Sequence, residues 1–188
     1  MIEFPKTVHL KDGDVTLRLM TVDDGPALLR FANALPEHDL LFLRRDITKQ
    51  DGIDAWVADI SRGRITSVLA LSGDEVLGYA TVHRTELDWS RHVAEVRMLV
   101  SERGRGRNLG RLLVKTAFAV ALDQGMEKLF ARMTLDQMGA RTLFEELGFR
   151  PEALLKDEVK DRTGKKHDVL ILSHDITNSP AMEGFLAA

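Results

Sequence analysis

The sequence predicts an α/β domain of mixed α+β type, on three observations. Short β-type runs recur from Thr66 to Val100 as an antiparallel meander, and the hydrophobic period then switches sharply to 3.6 residues from Leu109. After that helix, strand, helix and two further strands follow in order.

Thr7 to Leu10 and Val15 to Met20 flank Asp12-Gly13, a hairpin signal because both residues tolerate positive φ. Asp23-Asp24-Gly25-Pro26 caps a helix carrying Leu28, Leu29, Phe31, Ala32 and Leu35, and Pro36 ends it. Ile53, Trp56, Val57 and Ile60 predict a second helix over Asp51 to Ser61, with Thr48 as its cap. Strands follow at Thr66 to Leu71, at Val76 to His83 after the turn Ser72-Gly73-Asp74-Glu75, and at Val93 to Val100. Leu109, Leu112, Leu113, Thr116, Ala117, Val120 and Ala121 form one apolar stripe that stops at Gly125. Lys128 to Met133 reads as a strand. Gln137 to Leu147 reads as a helix capped by Asp136 and closed by Gly148. Glu152 to Lys160 and Asp168 to Ser173 are strands across Asp161-Arg162-Thr163-Gly164, and Val169 to Leu172 is continuously apolar, as in a strand covered on both faces. Residues 1–176 read as one domain, 1–12 holding the first hairpin strand, and 177–188 as a mobile tail.

Composition narrows the function classes. The 188 residues, 44% hydrophobic and 29% charged, suit one globular unit burying about 70% of the surface of its unfolded chain. Net charge is −3, so no overall basic field holds nucleic acid or an anionic membrane. No cysteine is present, which excludes disulfides, thiol nucleophiles and iron–sulfur clusters. The longest apolar stretch, Ala117 to Leu122, is far short of the roughly 20 residues of a membrane span, and the N-terminus lacks a signal-peptide core. The expectation is a cytoplasmic protein without nucleic-acid or membrane partners. His167 and His174 show no metal spacing, and no metal is expected.

The segment from Val100 to Gly110, VSERGRGRNLG, lies between a predicted strand and the longest helix. Glycines there let main-chain N–H groups approach a ligand, and the helix N-terminus adds roughly half a positive charge, so the turn suits a phosphate. Six arginines (Arg91, Arg97, Arg103, Arg105, Arg107, Arg111) fall in 21 residues with only Glu95 and Glu102 opposing them, which predicts a locally cationic site. The alternative is a solvated face on a tight turn. No P-loop is present, because no Gly-Lys-Ser/Thr occurs. The spacing Gly104-x-Gly106-x-x-x-Gly110 resembles a dinucleotide turn, but a full meander precedes it, and neither Asp123 nor Asp136 stands where a ribose-binding acid belongs.

The order of elements, with V-x-x-x-x-R-G-x-N-x-G-x-x-L from Val100 to Leu113, resembles the GNAT superfamily of acyl-CoA-dependent N-acyltransferases. That family's box, Q/R-x-x-G-x-G/A, fits either Arg103, Gly106 and Asn108 or Arg105, Asn108 and Gly110. The second register is preferred, because Val100 and the Leu109, Leu112, Leu113 stripe then fall at the family's usual distances. Asn108 replaces the middle glycine and is among the few residues that accept left-handed angles. Gln137-x-x-Ala140-x-x-Leu143-Phe144-x-x-x-Gly148-Phe149 is similar to a second family segment, and Gly78-Tyr79-Ala80 to its third strand. The resemblance covers residues 13 to 176.

The resemblance implies a central, mostly antiparallel mixed sheet of about seven strands flanked by about four helices, splayed between the strands at Val93 to Val100 and Lys128 to Met133. The pantetheine arm of acetyl-CoA would lie in that gap against Met98, Leu99 and Val100, whose main chain offers an oxyanion donor. Main-chain N–H groups of Arg105, Gly106, Arg107, Asn108, Leu109, Gly110 and Arg111 would receive the pyrophosphate, and Gln137 and Phe144 join the coenzyme site. On this register Gly110 leaves room for main-chain approach. The implied reaction is acetyl transfer to a primary amine, on a small molecule or a peptide, by direct attack.

A lysine acceptor with pKa about 10.4 would need about 4.6 kcal/mol to become neutral at pH 7, an α-amine near 7.7 only about 1, so a base matters more in the first case. Glu95 occupies a place where some members carry a glutamate base; the competing reading is an edge carboxylate paired with Arg97 or Arg132. His92 is the reserve. Phe144 departs from the family, standing where many relatives have a tyrosine that protonates the thiolate. Tyr79 reads as packing. The acceptor site would be lined by Pro36 to Asp46, including Leu40, Leu41 and Phe42, and by the hairpin from Asp161 to Lys166, with Glu37, His38 and Asp39 as attractors of a cationic amine. A homodimer is compatible with the family. Two other readings are a non-catalytic acyl-CoA-sensing module and, on glycine spacing alone, an NAD(P)-dependent oxidoreductase.

Overall fold

The computed structural model describes residues 2–40, 43–85 and 87–177, so the expectations for Leu41, Phe42 and the tail from Asn178 lie outside the described residues. Its strands are β1 (Lys6–Leu10), β2 (Gly13–Leu19), β3 (Ile65–Ser72), β4 (Glu75–Arg84), β5 (Val93–Val100), β6 (Lys128–Thr134), β7 (Arg150–Lys160) and β8 (Lys166–Asp175). The helices are α1 (Gly25–Asn33), α2 (Glu37–Leu40), α3 (Gln50–Ser61), α4 (Leu109–Asp123) and α5 (Met138–Glu146). The sheet runs β1-β2-β3-β4-β5-β6-β8-β7, antiparallel throughout except for the parallel pair β5 and β6. The described residues form eight strands and five helices, in keeping with the expected mixed, mostly antiparallel sheet, the helix beyond the expected four being the single turn α2.

Because side chains alternate across a strand, β3 and β4 feed two cores at once. Val68, Ala70, Ala80 and Val82 join Val96, Leu113, Ala117 and Phe118 beneath α4. Leu69, Leu71 and Tyr79 join Phe31, Ile53 and Trp56 beneath α1 and α3. Strands covered on both faces read as continuous apolar runs, which is why this meander is so plain in the sequence. Among the described residues no helix is long and apolar enough to cross a membrane.

Two predicted caps are corrected. Thr48 does not cap α3: its N–H and hydroxyl both donate to Asp46 Oδ1, closing a side-chain turn, and the helix starts after Lys49. Asp136 does not cap α5 either. The cap position belongs to Gln137, whose Oε1 accepts the Thr134 N–H at 3.0 Å. At Thr48 a short-range side-chain bond competes with the cap and wins. The strand predicted at Glu152 to Lys160 carries a bulge, where the register against β8 shifts between Leu155 and Val159 around Asp157 at φ 55.

Candidate active site

Strands β5 and β6 pair only from Val93 opposite Lys128 to Glu95 opposite Phe130. Beyond that point β5 continues against β4 as far as Val100, whereas β6 continues against β8 as far as Thr134. The two strands therefore part inside the sheet. A cavity of about 180 Å³ opens in the gap, lined by Val96 to Leu99 of β5, Ala131 to Thr134 of β6, and Gln137, Ala140 and Phe144.

At the end of β5 the chain turns into α4. Gly106 has φ 71, and Asn108 takes φ 61, a left-handed residue directly before the helix. The first helical bond runs from the Leu112 N–H to the Asn108 carbonyl at 3.1 Å. The N–H groups of Leu109, Gly110 and Arg111 therefore face out of the helix start without intrahelical acceptors, the arrangement that attracts an anion. Val100 and Leu109 are buried and anchor the turn to the core beneath α4.

Two sequence expectations about this turn are revised. A Cβ on Gly110 would stand 3.1 Å from Leu143 and 3.3 Å from Met98 Sδ, so the glycine lets α4 pack on β5 and α5 rather than clearing a path for a ligand. The turn is also less cationic than neighbouring letters suggest. Arg103 pairs with Glu75, Arg105 with Asp39 and Arg111 with Glu146, while Arg107 Nε donates to Asp12 at 3.1 Å. These carboxylates come from four distant segments, which a count along the chain cannot see.

Glu95 is buried, 7% exposed, and accepts from Arg97 Nε at 2.9 Å and Nη2 at 2.8 Å; Arg44 lies 3.7 Å from its other oxygen. It is neither at a sheet edge nor paired with Arg132, which lies 3.9 Å from Glu158. Opposite Glu95 in the ladder stands His83, whose Nε2 is 2.8 Å from the Thr81 hydroxyl. Burial, then the nearby Arg97, Arg44 and Arg45, push its imidazole down to about 3, so it stays neutral. The reserve residue His92 is exposed and outside the cavity; its carbonyl accepts from Glu127 and Lys128.

Phe144 is 3% exposed, edge-on to Phe149 at 4.9 Å, and reaches the cavity wall. Tyr79 lies between Phe31 and Trp56, and burial pushes its phenol above the usual range. The connection after Pro36 supplies Asp39, Leu43, Arg44 and Arg45 to the cavity. The hairpin from Asp161 to Lys166 supplies none, its place being taken by Glu158 and Val159 of β7. Glu37, His38 and Asp39 are engaged instead with Arg162 at 3.9 Å, Asp136 at 3.6 Å and Arg105. Sequence reasoning missed His83, whose signal was its place on the strand paired with Glu95; Arg44 and Arg45 fell within the connection assigned to the acceptor site without being singled out, and Arg132 was named only as a partner for Glu95.

Residues 33–149, more than half the chain, match the model of the acetyltransferase (GNAT) family. The chain belongs to that family. Over 80 residues, 43% of the chain, it is 34% identical to the probable N-acetyltransferase family 8 member 5 of Mus musculus, and the match spans 30% of that relative's length. An N-acetyltransferase from Staphylococcus aureus Mu50 superposes with a TM-score of 0.76 at 17% identity, covering 86% of this chain and 98% of the other. A Salmonella typhimurium structure solved with its cofactor acetyl-CoA gives 0.73 at 20% identity, over 86% and 94%. These structures share the GNAT fold. A dinucleotide-binding sheet keeps its parallel strands paired around the turn, whereas in this GNAT chain they separate after three residues, so the oxidoreductase reading falls.

Proposed function

We propose that this GNAT chain transfers an acetyl group from acetyl-CoA to a primary amine by direct attack in a ternary complex. The observation that carries the reading is the meeting of two features at one place: the open gap between β5 and β6, and the start of α4 with its outward N–H groups behind Asn108. The gap offers main-chain partners to an extended arm, and the helix start offers a seat for a diphosphate. Main-chain groups of Met98, Leu99 and Val100 and of Arg105 to Arg111 are the coenzyme contacts in this reading, with Gln137 and Phe144 closing the wall.

The amine nitrogen attacks the thioester carbonyl carbon; the C–N bond forms, the C–S bond breaks, and the thiolate leaves with the electron pair. A β5 N–H near Met98 to Val100 stabilises the oxyanion. Glu95, held under Arg97, takes the amine proton through water. Phe144 has no proton to give, and a thiolate of pKa near 8.5 leaves adequately and is protonated by solvent. Thiol release from acetyl-CoA across a panel of amines and peptides tests the reading. Absence both of release and of stabilisation by acetyl-CoA would overturn it. Phe144 favours a second reading, a non-catalytic acyl-CoA sensor, for which acetyl-CoA stabilises the chain and no amine releases thiol.

A further inference from the structure

The charged groups around the cavity do not balance. Arg132 has Glu158 at 3.9 Å, and Asp39 has Arg105. The other three guanidiniums lining it, Arg44, Arg45 and Arg97, meet two carboxylates among the described residues. Glu95 serves both Arg97 at 2.8 Å and Arg44 at 3.7 Å. Asp59 serves Arg45 at 2.6 Å and is itself shared with Arg64 at 3.6 Å. Arg45 Nη1 is buried and finds no acceptor among the described residues. An unsatisfied guanidinium N–H in a protein interior is costly, and the excess positive field is felt by His83, which it helps keep neutral.

Arg45 keeps one nitrogen without an acceptor and Arg44 has only a loose ion pair at 3.7 Å, so the cluster has N–H donors left to offer a carboxylate. Beside it the aromatic rings of Trp56 and Tyr79 form an apolar wall of the same cavity, suited to hydrocarbon. We propose that the acceptor is an amino-acid-like molecule, a primary amine bearing its own carboxylate, and that Arg44, Arg45 and Arg97 clasp that carboxylate. The inference rests on the acetyltransferase reading and narrows it. A lysine within a protein offers no carboxylate at the corresponding place, and a polyamine would meet the wrong charge. Chemistry is unchanged: the amine gains the acetyl group, the thiolate leaves, and the carboxylate serves only as a handle.

The test compares free α-, β- and γ-amino acids with their carboxamides as matched pairs, alongside a polyamine and a lysine peptide. Thiol release is measured by kcat and KM, and binding to the acetyl-CoA-loaded protein by thermal shift. The expected result is at least a tenfold lower KM, or tighter binding, for an acid than for its amide. Arg44→Gln, at a half-exposed side chain, is expected to shrink that preference at least fivefold while leaving stabilisation by acetyl-CoA intact. Arg45→Gln should act likewise if it folds. Equal or better use of amides, polyamine or peptide, or no acid preference in either turnover or binding, overturns the proposal while acetyl-CoA still binds. Failure of acetyl-CoA to bind overturns the parent reading instead.

Discussion

At the level of single residues, His83 is the most informative group in the cavity. Its imidazole is held down to about 3, first by burial and then by three arginines, with Asp59 opposing. The folded value lies below the unfolded one near 6.5, so the unfolded chain binds the extra proton first. Stability from this residue is therefore complete above about pH 6.5 and declines as pH falls toward 3. We expect the His83 ring resonances not to titrate between pH 8 and 5, and His83→Gln to flatten the loss of stability across that window in urea unfolding. An imidazole titrating near 6.5 in the folded protein would contradict the cationic surroundings. For Glu95→Gln the expected outcome is a fall in kcat of about 10²-fold or more with stabilisation by acetyl-CoA unchanged. An unchanged kcat would remove Glu95 from proton transfer and leave it as a brace for Arg97. Glu95 was legible from its strand position, whereas its partner Arg44 was not, because only folding carries that loop across the sheet.

Between β5 and α4, one left-handed residue decides where the helix begins. Asn108 at φ 61 does what a glycine would do there, and an L residue without asparagine's tolerance loses roughly 1–2 kcal/mol in that region. Asn108→Gly is expected to keep both stability and acetyl-CoA binding; Asn108→Val is expected to weaken both, as read by thermal unfolding with and without acetyl-CoA. Gly110 carries a different constraint. With Leu143 and Met98 so close to its missing Cβ, Gly110→Val should cost about 1–3 kcal/mol by overpacking, so any loss of coenzyme binding would come with a loss of stability. Purely local binding loss at full stability would contradict the packing account. Helices and strands were read well wherever one apolar stripe or a doubly buried run dominated, as in α4 and β8. Caps were read poorly at Thr48 and Asp136, because spacing alone shows neither that Thr48 turns back to Asp46 nor that the helix start falls one residue later, at Gln137.

For the whole molecule, the sheet is two antiparallel blocks, β1 to β5 and β6-β8-β7, joined along three residue pairs between β5 and β6. A ligand that bridges the parted ends should tie them together. At a concentration 100 times its dissociation constant, acetyl-CoA is expected to add about 2.7 kcal/mol of stability, while NADPH adds none. Slower amide exchange should appear at Met98 to Val100 and at Ala131 to Thr134; protection elsewhere but not there would place the coenzyme outside the gap. The fold and this opening followed from motif order, since the turn at Arg105 to Gly110 names its neighbours on both sides. The electrostatic character did not, because Asp12, Asp39, Glu75 and Glu146 reach the arginines only through tertiary contact.

The separation of β5 from β6 also bears on solubility. Bare strand edges ordinarily sit on the rim of a sheet, where a foreign strand can dock broadside and start aggregation. Here two such edges face each other from the middle, each shielded on its far side by a paired neighbour. Only something as slender as one extended chain can thread between them, so the protein keeps unspent hydrogen-bonding capacity in its interior without advertising it to its neighbours.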